Sequence, residues 1–270
     1  MKSVNPYRIA ASLVWHRFKW ELNPVSRRSR SKLQRQKGIH AGEKCIICCN
    51  GPSLLQVDFD SISQTRTFCF GLNKINLLLD KTDWKPDAIC ACNDHVLHQS
   101  QAFFNSTDIP LFLDSSGLQW IEERANTTFL PSVQVNRFAE NCSQNYVQGS
   151  TVTYMALQLA FHMGFTQVAL VGCDHSFVAN GLPHETLTAG DYDPNHFDPH
   201  YFANGASWQV PDLAGSEYFY HLADRHYRES GRMIINCTEG GDLDTFERKS
   251  LKNFLGDASP ISSFPPTSAN

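Results

Sequence analysis

The chain has 270 residues, 23 Lys and Arg against 27 Asp and Glu, and 41% hydrophobic residues. At about 100–200 residues per domain, that length gives one large domain or two small ones with a full core. The composition excludes disordered, collagenous and disulfide-miniprotein classes, and no run approaches the roughly 18–20 uninterrupted apolar residues of a membrane span. The net charge of −4 hides a split. Residues 1–44 carry eleven Lys/Arg and two acids (+9), and the rest carry twelve against twenty-five (−13).

Residues 6–22 (PYRIAASLVWHRFKWEL) read as one amphipathic helix, with Ile9, Leu13 and Trp20 on an apolar stripe beside Arg8, Arg17 and Lys19. Pro24 ends it, and the basic stretch that follows reads as a linker or flexible arm. Two readings of this arm stand side by side. One is a solvated helix and tail with no partner. The other is contact with an anionic membrane surface through residues 1–38, because Trp15, Phe18 and Trp20 beside clustered cations suit an interfacial helix. Nucleic acid is not expected as a partner, since the body is acidic and carries no nucleic-acid module. Oligomeric state is not legible.

From residue 44 the pattern becomes strand, turn and helix in repetition. KCIICC is an apolar strand, NGPS a turn, and LLQVDFDSI a short helical segment. TFCFGLN, AICACN and PLFLD are further strands. STVTYMALQLAFHM (150–163) is the strongest helix and Gly164 stops it. QVALVGCD is a strand, residues 212–230 a helix closed by Gly231, and MIINC a last strand. The Ser- and Pro-rich tail reads as disordered. The expected division is therefore a basic helix and linker (1–43), an α/β domain (44–256) and a tail (257–270).

Cys45, Cys48, Cys49, Cys69, Cys90, Cys92 and Cys173 lie in or beside the apolar runs. The two thiols of Cys45-x-x-Cys48 would point to opposite faces of a strand, so buried thiols are expected rather than a redox or zinc pair. No secretory signal is read at the N-terminus, so a reducing, cytoplasmic setting is expected, peripheral to the inner membrane face if the arm docks there.

Apolar strands alternating with helices predict a Rossmann-like α/β fold, with a mostly parallel sheet covered on both faces. In such folds ligands bind beyond the carboxyl ends of the strands. That rule singles out Asn50-Gly51-Pro52-Ser53, Asn73, Asn93, Asp114, Asp174-His175 and Thr238-Glu239-Gly240-Gly241, while Gly149-Ser150-Thr151 opens the long helix as an N-cap compatible with a second phosphate or carboxylate contact. NGPS is a plain βα turn or a phosphate approach, in which Gly51 admits the backbone and Ser53 caps the next helix. Neither G-x-G-x-x-G nor a Walker sequence is present. Residues 184–201 read as a long loop bearing His184, His196 and His200 with Asp191, Asp193 and Asp198, and they match no zinc signature. A histidine of this loop is the candidate general base.

IICCNGPSL, CFGLN, ICACND and GSTVTYMALQLAFHMGFTQVALVGCDHSF together resemble the family named for archaeal 6-hydroxymethylpterin diphosphokinase, whose bacterial members are glycan-associated and flagellin-modifying. The order of motifs, from about Cys45 to Phe246, is also similar to that of bacterial sialyltransferases using CMP-sialic acid. The resemblance implies a transferase moving a sialic-acid-like sugar from a CMP donor to a surface glycan, with no metal or cofactor. Asn50, Gly51 and Ser53 would meet phosphate and ribose, Asn73 and Asn93 the nucleotide and donor sugar, and Ser150 or Thr151 the donor. The base is open between His196 and His200. The tyrosine-bearing segment of the sialyltransferases reads here HSFVANGLPHETL, without Tyr, which leaves Tyr192, Tyr201 or His184 to stabilise the leaving phosphate. The alternatives are a diphosphokinase using ATP and Mg²⁺ on a pterin alcohol, with Asp114, Asp174, Asp191 and Asp193 as candidate ligands, and a nucleotide-binding protein without catalysis.

Overall fold

The computed structural model describes residues 6–178 and 181–256, without the side chains of residues 6–10, 12, 13 and 16. The tail at 257–270 lies outside the described residues. Helix α1 (Pro6–Leu22) has the predicted bounds, but no linker follows. Pro24 occupies the first position of a second helix, α2 (Pro24–Gln36), where its missing N–H costs nothing. Asn23 caps that helix by accepting from Val25 N at 2.9 Å. The linker expectation failed because α2 buries only one narrow face, Ser26, Ser29 and Leu33, and two of these three are serines.

An alternation of strands and helices begins at β1 (Lys44–Cys48). The predicted single helix after it is two pieces, a 3₁₀ turn at Pro52–Gln56 and α3 (Phe59–Thr65), because Asp58 caps α3 and so separates them. There follow β2 (Phe68–Leu72), α4 (Asn76–Leu79), β3 (Ala88–Ala91), α5 (Asp94–Gln99), α6 (Gln101–Ser106), β4 (Leu111–Asp114) and β5 (Thr127–Leu130). A short pair, β6 (Ser132–Val133) and β7 (Tyr146–Val147), leads into α7 (Val152–Met163) and β8 (Gln167–Val171). The predicted long loop contains β9 (Thr186–Thr188), which pairs antiparallel with β10 (Ser207–Gln209). The chain finishes with α8 (Leu213–Glu229), β11 (Met233–Asn236), β12 (Glu247–Arg248) and α9 (Leu251–Gly256).

Eight strands form one wholly parallel sheet in the order β12-β11-β8-β1-β2-β3-β4-β5. The chain lays β2 to β5 outward on one side of β1, then returns to place β8 on the other side. The reversal between β1 and β8 is the topological switch point, where the carboxyl ends of two strands part and leave a crevice.

The period of two along each strand divides the core. Cys45, Ile47 and Cys49 pack with α7 and α8, while Ile46 and Cys48 pack with α3, α5 and α9. All nine cysteines are buried and unbridged, so they serve as small hydrophobes. Every residue of α7 is buried, including Gln158, whose Oε1 accepts from Ala139 N and Val147 N while Nε2 donates to Val147 O and Tyr154 O. Gly164 ends α7 in the left-handed region at φ +100°.

At the far side of the sheet α2 runs along β5. Ser29 Oγ accepts from Phe129 N at 3.1 Å, Lys32 Nζ donates to Thr127 O at 2.7 Å, and Leu33 O meets His162 Nε2 at 2.9 Å. Among the described residues no helix is long and apolar enough to cross a membrane.

Candidate functional site

A cleft of about 1100 Å³ opens at the carboxyl ends of the strands and spans the switch point. Its floor is the run of residues that follow the strands. Asn50 is buried there; its Nδ2 donates to Leu72 O at 3.0 Å, and its Oδ1 has no partner among the described residues. Asn73 Oδ1 is in the same condition. Two buried amide oxygens without protein partners cost about 1–3 kcal/mol each unless an entering group satisfies them. Asn93 lines the cleft too, but its Oδ1 is spent on the His95 and Val96 N–H groups at the start of α5, and its Nδ2 donates to Gln209 Oε1 at 3.2 Å.

The NGPS turn is held from β8. Ser53 Oγ and N both donate to Asp174 Oδ2, at 2.7 and 3.3 Å. Neither Pro52 nor Ser53 lines the cleft, so the structure does not bring these two predicted contacts to it. Gly51 does line it, and its need for glycine is local. A Cβ there would fall onto the Asp174 carboxylate, 2.8 Å from Cγ, and 2.8 Å from Gly172 O. Gly149 is glycine for a related reason, since a Cβ would lie 2.7 Å from Tyr154 Cγ and φ is +59°. Thr151 caps α7 by accepting from Thr153 N at 3.3 Å, and Ser150 Oγ donates to Asp212 Oδ2 at 3.5 Å.

Six described non-glycine residues have positive φ, and Asn73, Ser150, His175 and His184 are four of them. All four line the cleft. Left-handed backbone outside glycine costs free energy, and its concentration here marks a geometry held by the surrounding packing.

The two candidate bases separate. His196 lines the cleft, whereas His200 does not: its side chain is 72% exposed and 3.6 Å from Asp198. His196 is held at Nδ1 and across one ring face. Its Nδ1 lies 2.8 Å from Asp193 Oδ2, and its ring is stacked on Tyr201 with centroids 3.9 Å apart and planes 2° from parallel. Asp193 is buried and also accepts from Asn195 N and Phe202 N. A carboxylate on Nδ1–H leaves Nε2 as the proton acceptor. The segment is tied down where Phe197 N donates to Asn50 O at 2.9 Å. Lys74 completes the support, donating to Tyr201 O at 2.6 Å and Gln99 Oε1 at 2.8 Å. Burial lowers the Lys74 pKa to about 8, against the pull of Asp193.

Other expectations sort by position. His175 and His184 both line the cleft, paired with Glu217 at 3.0 Å and Asp212 at 3.4 Å. Tyr201 lies beneath His196, but Tyr192 is 67% exposed and away from the cleft. Asp114 and Asp174 line the cleft while Asp191 and Asp193 do not, so the four carboxylates considered for Mg²⁺ do not converge. Asp114 accepts from Tyr146 OH at 2.6 Å and from Ser116 N at 2.7 Å. Among the described residues no three His, Cys, Asp or Glu side chains are placed to hold a metal ion together.

Sequence reasoning missed three things. It treated Asp193 only as a metal ligand, although D-x-x-H places it to reach His196. It missed Asp212, which links Ser150 to His184. It also missed an aromatic wall of Phe177, Trp208 and Phe202, with Trp208 stacked at 6.2 and 6.1 Å on its two neighbours, beside His196. These residues come together only through the β9–β10 pairing, which no local pattern announces.

No curated protein matches the chain. Among solved structures it is similar to the MAf glycosyltransferase from Magnetospirillum magneticum AMB-1, at 14% identity and a TM-score of 0.50. That match covers 85% of this chain and 39% of the other, so the chain spans about two fifths of that protein, and the likeness is one of fold. A family model matches residues 21–180, which includes α2, β1 to β8 and the floor of the cleft. With more than half of its length matched, the chain belongs to the 6-hydroxymethylpterin diphosphokinase MptE-like family.

Proposed function

We propose that the chain is a glycosyltransferase that takes a CMP-activated, sialic-acid-like sugar in the cleft and transfers it to a hydroxyl of a surface glycan. The observation that carries this reading is His196, fixed in one orientation by Asp193 and Tyr201, at the rim of a cleft floored by strand-end amides. His196 Nε2 takes the proton of the acceptor hydroxyl. The acceptor oxygen bonds to the anomeric carbon as the bond from that carbon to the phosphate oxygen breaks, and CMP leaves with the electron pair. Asp193 holds the tautomer and balances the imidazolium. The N–H groups at the start of α7, with His184 across from them, suit the leaving phosphate. Asn50 and Asn73, whose amide oxygens are unpartnered among the described residues, suit the hydroxyls and base of the nucleotide, and the Phe177–Trp208–Phe202 wall offers apolar faces to a pyranose ring.

The family's description and the MAf likeness both favour a transferase, and the former favours a second reading, ATP-dependent pyrophosphate transfer to a pterin alcohol. A thermal-shift screen separates the two, with a nucleotide-binding protein without catalysis as the remaining outcome. Stabilisation by CMP without added metal, CMP release from CMP-sialic acid, and loss of that release by about 10²-fold or more in His196→Ala but not His200→Ala are expected. Stabilisation by ATP only with Mg²⁺, and none by CMP, overturns sugar transfer.

A further inference from the structure

Helix α1 is attached to the domain in a fixed orientation. Trp20 is buried in the core, Arg17 Nη1 donates to Gln144 O at 3.1 Å, and Glu21 bridges Arg17 and Arg30. The face turned away from these contacts is apolar and uncovered. Val14, Trp15, Phe18 and Leu22 are 70%, 55%, 52% and 60% exposed, and at about 100° per residue they fall within one stripe about 100° wide, opposite Trp20. An apolar stripe of this kind on a soluble domain marks a surface that is covered in use.

What covers it is indicated by the surrounding charge. Of the cations on α1 and α2, Arg17 and Arg30 are paired with Glu21, Arg28 with Glu123, and Lys32 with backbone carbonyls. Lys19, Arg27 and Arg35, with Lys37 just beyond α2, have no carboxylate partner among the described residues and are exposed. Lys19 flanks the stripe with its ammonium 5.4 Å from the Trp15 ring centroid, and Arg27 and Arg35 lie on the face of α2 opposite Ser26, Ser29 and Leu33. An aromatic stripe with one unpaired cation at its edge, and more on the outward face of the next helix, matches an anionic lipid surface. The rings enter the headgroup boundary and the cations meet the lipid phosphates. A second copy of this chain would bring the same positive charge against itself.

We infer that the exposed face of α1, with the unpaired cations of α1 and α2, docks the protein onto an anionic membrane surface. Because both helices are packed on the domain, the contact orients the whole molecule rather than tethering it by a flexible arm. The inference does not depend on the chemistry proposed for the cleft.

Co-sedimentation of the full chain with vesicles tests it, using phosphatidylcholine alone and phosphatidylcholine mixed with phosphatidylglycerol. Binding is expected only to the anionic vesicles and should weaken steeply with salt. Trp15→Ser with Phe18→Ser, and separately Lys19→Gln with Arg27→Gln and Arg35→Gln, should each lower the partition coefficient about tenfold or more. These side chains are exposed, so both variants should keep the wild-type circular dichroism and unfolding midpoint. No binding, equal binding to both vesicle types, or binding unchanged in either variant overturns the inference. So does a wild-type dimer in sedimentation velocity that the aromatic variant converts to monomer, because the stripe would then be covered by a second copy.

Discussion

Gly51→Ala tests what holds the β1 turn. Glycine is not required there by backbone conformation, since φ is −70° and ψ 164°. The requirement is the Asp174 carboxylate and Gly172 O, both in the path of a Cβ, and the turn cannot retreat because Gly51 N itself donates to Gly172 O at 2.8 Å. Asp174 must therefore swing aside and give up Ser53 Oγ and N. Losing charge-assisted bonds costs about 1.5–3 kcal/mol and crowding a packed site about 1–3 kcal/mol, so Gly51→Ala should lose about 3–5 kcal/mol. Asp174→Ala alone should lose about 1–3 kcal/mol by leaving the Ser53 groups unpaired. In the double variant the new methyl occupies the vacated space, and the two losses should fall short of their sum by about 2 kcal/mol. Urea unfolding of the four proteins measures this directly. Additivity within about 0.5 kcal/mol, or a Gly51→Ala loss below about 1 kcal/mol, would refute the steric account and return Gly51 to a role in approaching a ligand.

Leu33→Ala should lose about 2–5 kcal/mol in urea unfolding, because Leu33 is fully buried in the core that α7 and α8 share; a loss within the range of a surface change would mean that α2 is not integral. Lys74 gives a pH signature. The unfolded chain keeps the Lys74 proton up to its ordinary 10.5 and the folded chain only to about 8. Unfolding therefore takes up a proton between those values, and stability rises with pH across that window. The difference in unfolding midpoint between wild type and Lys74→Met should move in the wild type's favour from pH 8 toward pH 10, and a difference independent of pH would contradict it.

The parallel sheet was legible because buried strands such as KCIICC and QVALV are apolar on both faces, a pattern that amphipathic helices do not give. The position of the cleft followed from the same strands, since ligands meet such sheets at the carboxyl ends and at the switch point. α2 was illegible because its stability is tertiary. Its helix rests on two buried serines and one leucine against a strand about 100 residues away, and a window of local hydropathy sees only a basic, polar run. Choosing between His196 and His200 likewise needed the tertiary fold, because the same loop carries both and only the Asn50–Phe197 tie and the Tyr201 stack turn one of them to the cleft. Ser53 was misjudged for a simpler reason: the turn residues that can reach a phosphate can equally be held by a carboxylate from the next strand.

The packing of α2 along β5 has a bearing on how this protein keeps to itself. An all-parallel open sheet has two outer strands, each a row of unpaired N–H and C=O groups on which another chain can build. One outer strand, β12, is two residues long and both are charged, which makes it a poor template. The other, β5, is uncharged and buried along its whole length, and its protection is α2: a serine hydroxyl on one amide, a lysine on one carbonyl, and the helix itself over the edge. Removing residues 1–38 would thus expose a sticky strand as well as delete a basic segment. Such a truncated chain is expected to self-associate, and its altered sedimentation would say nothing about lipids. The basic helix that reads as an address is also a guard against aggregation.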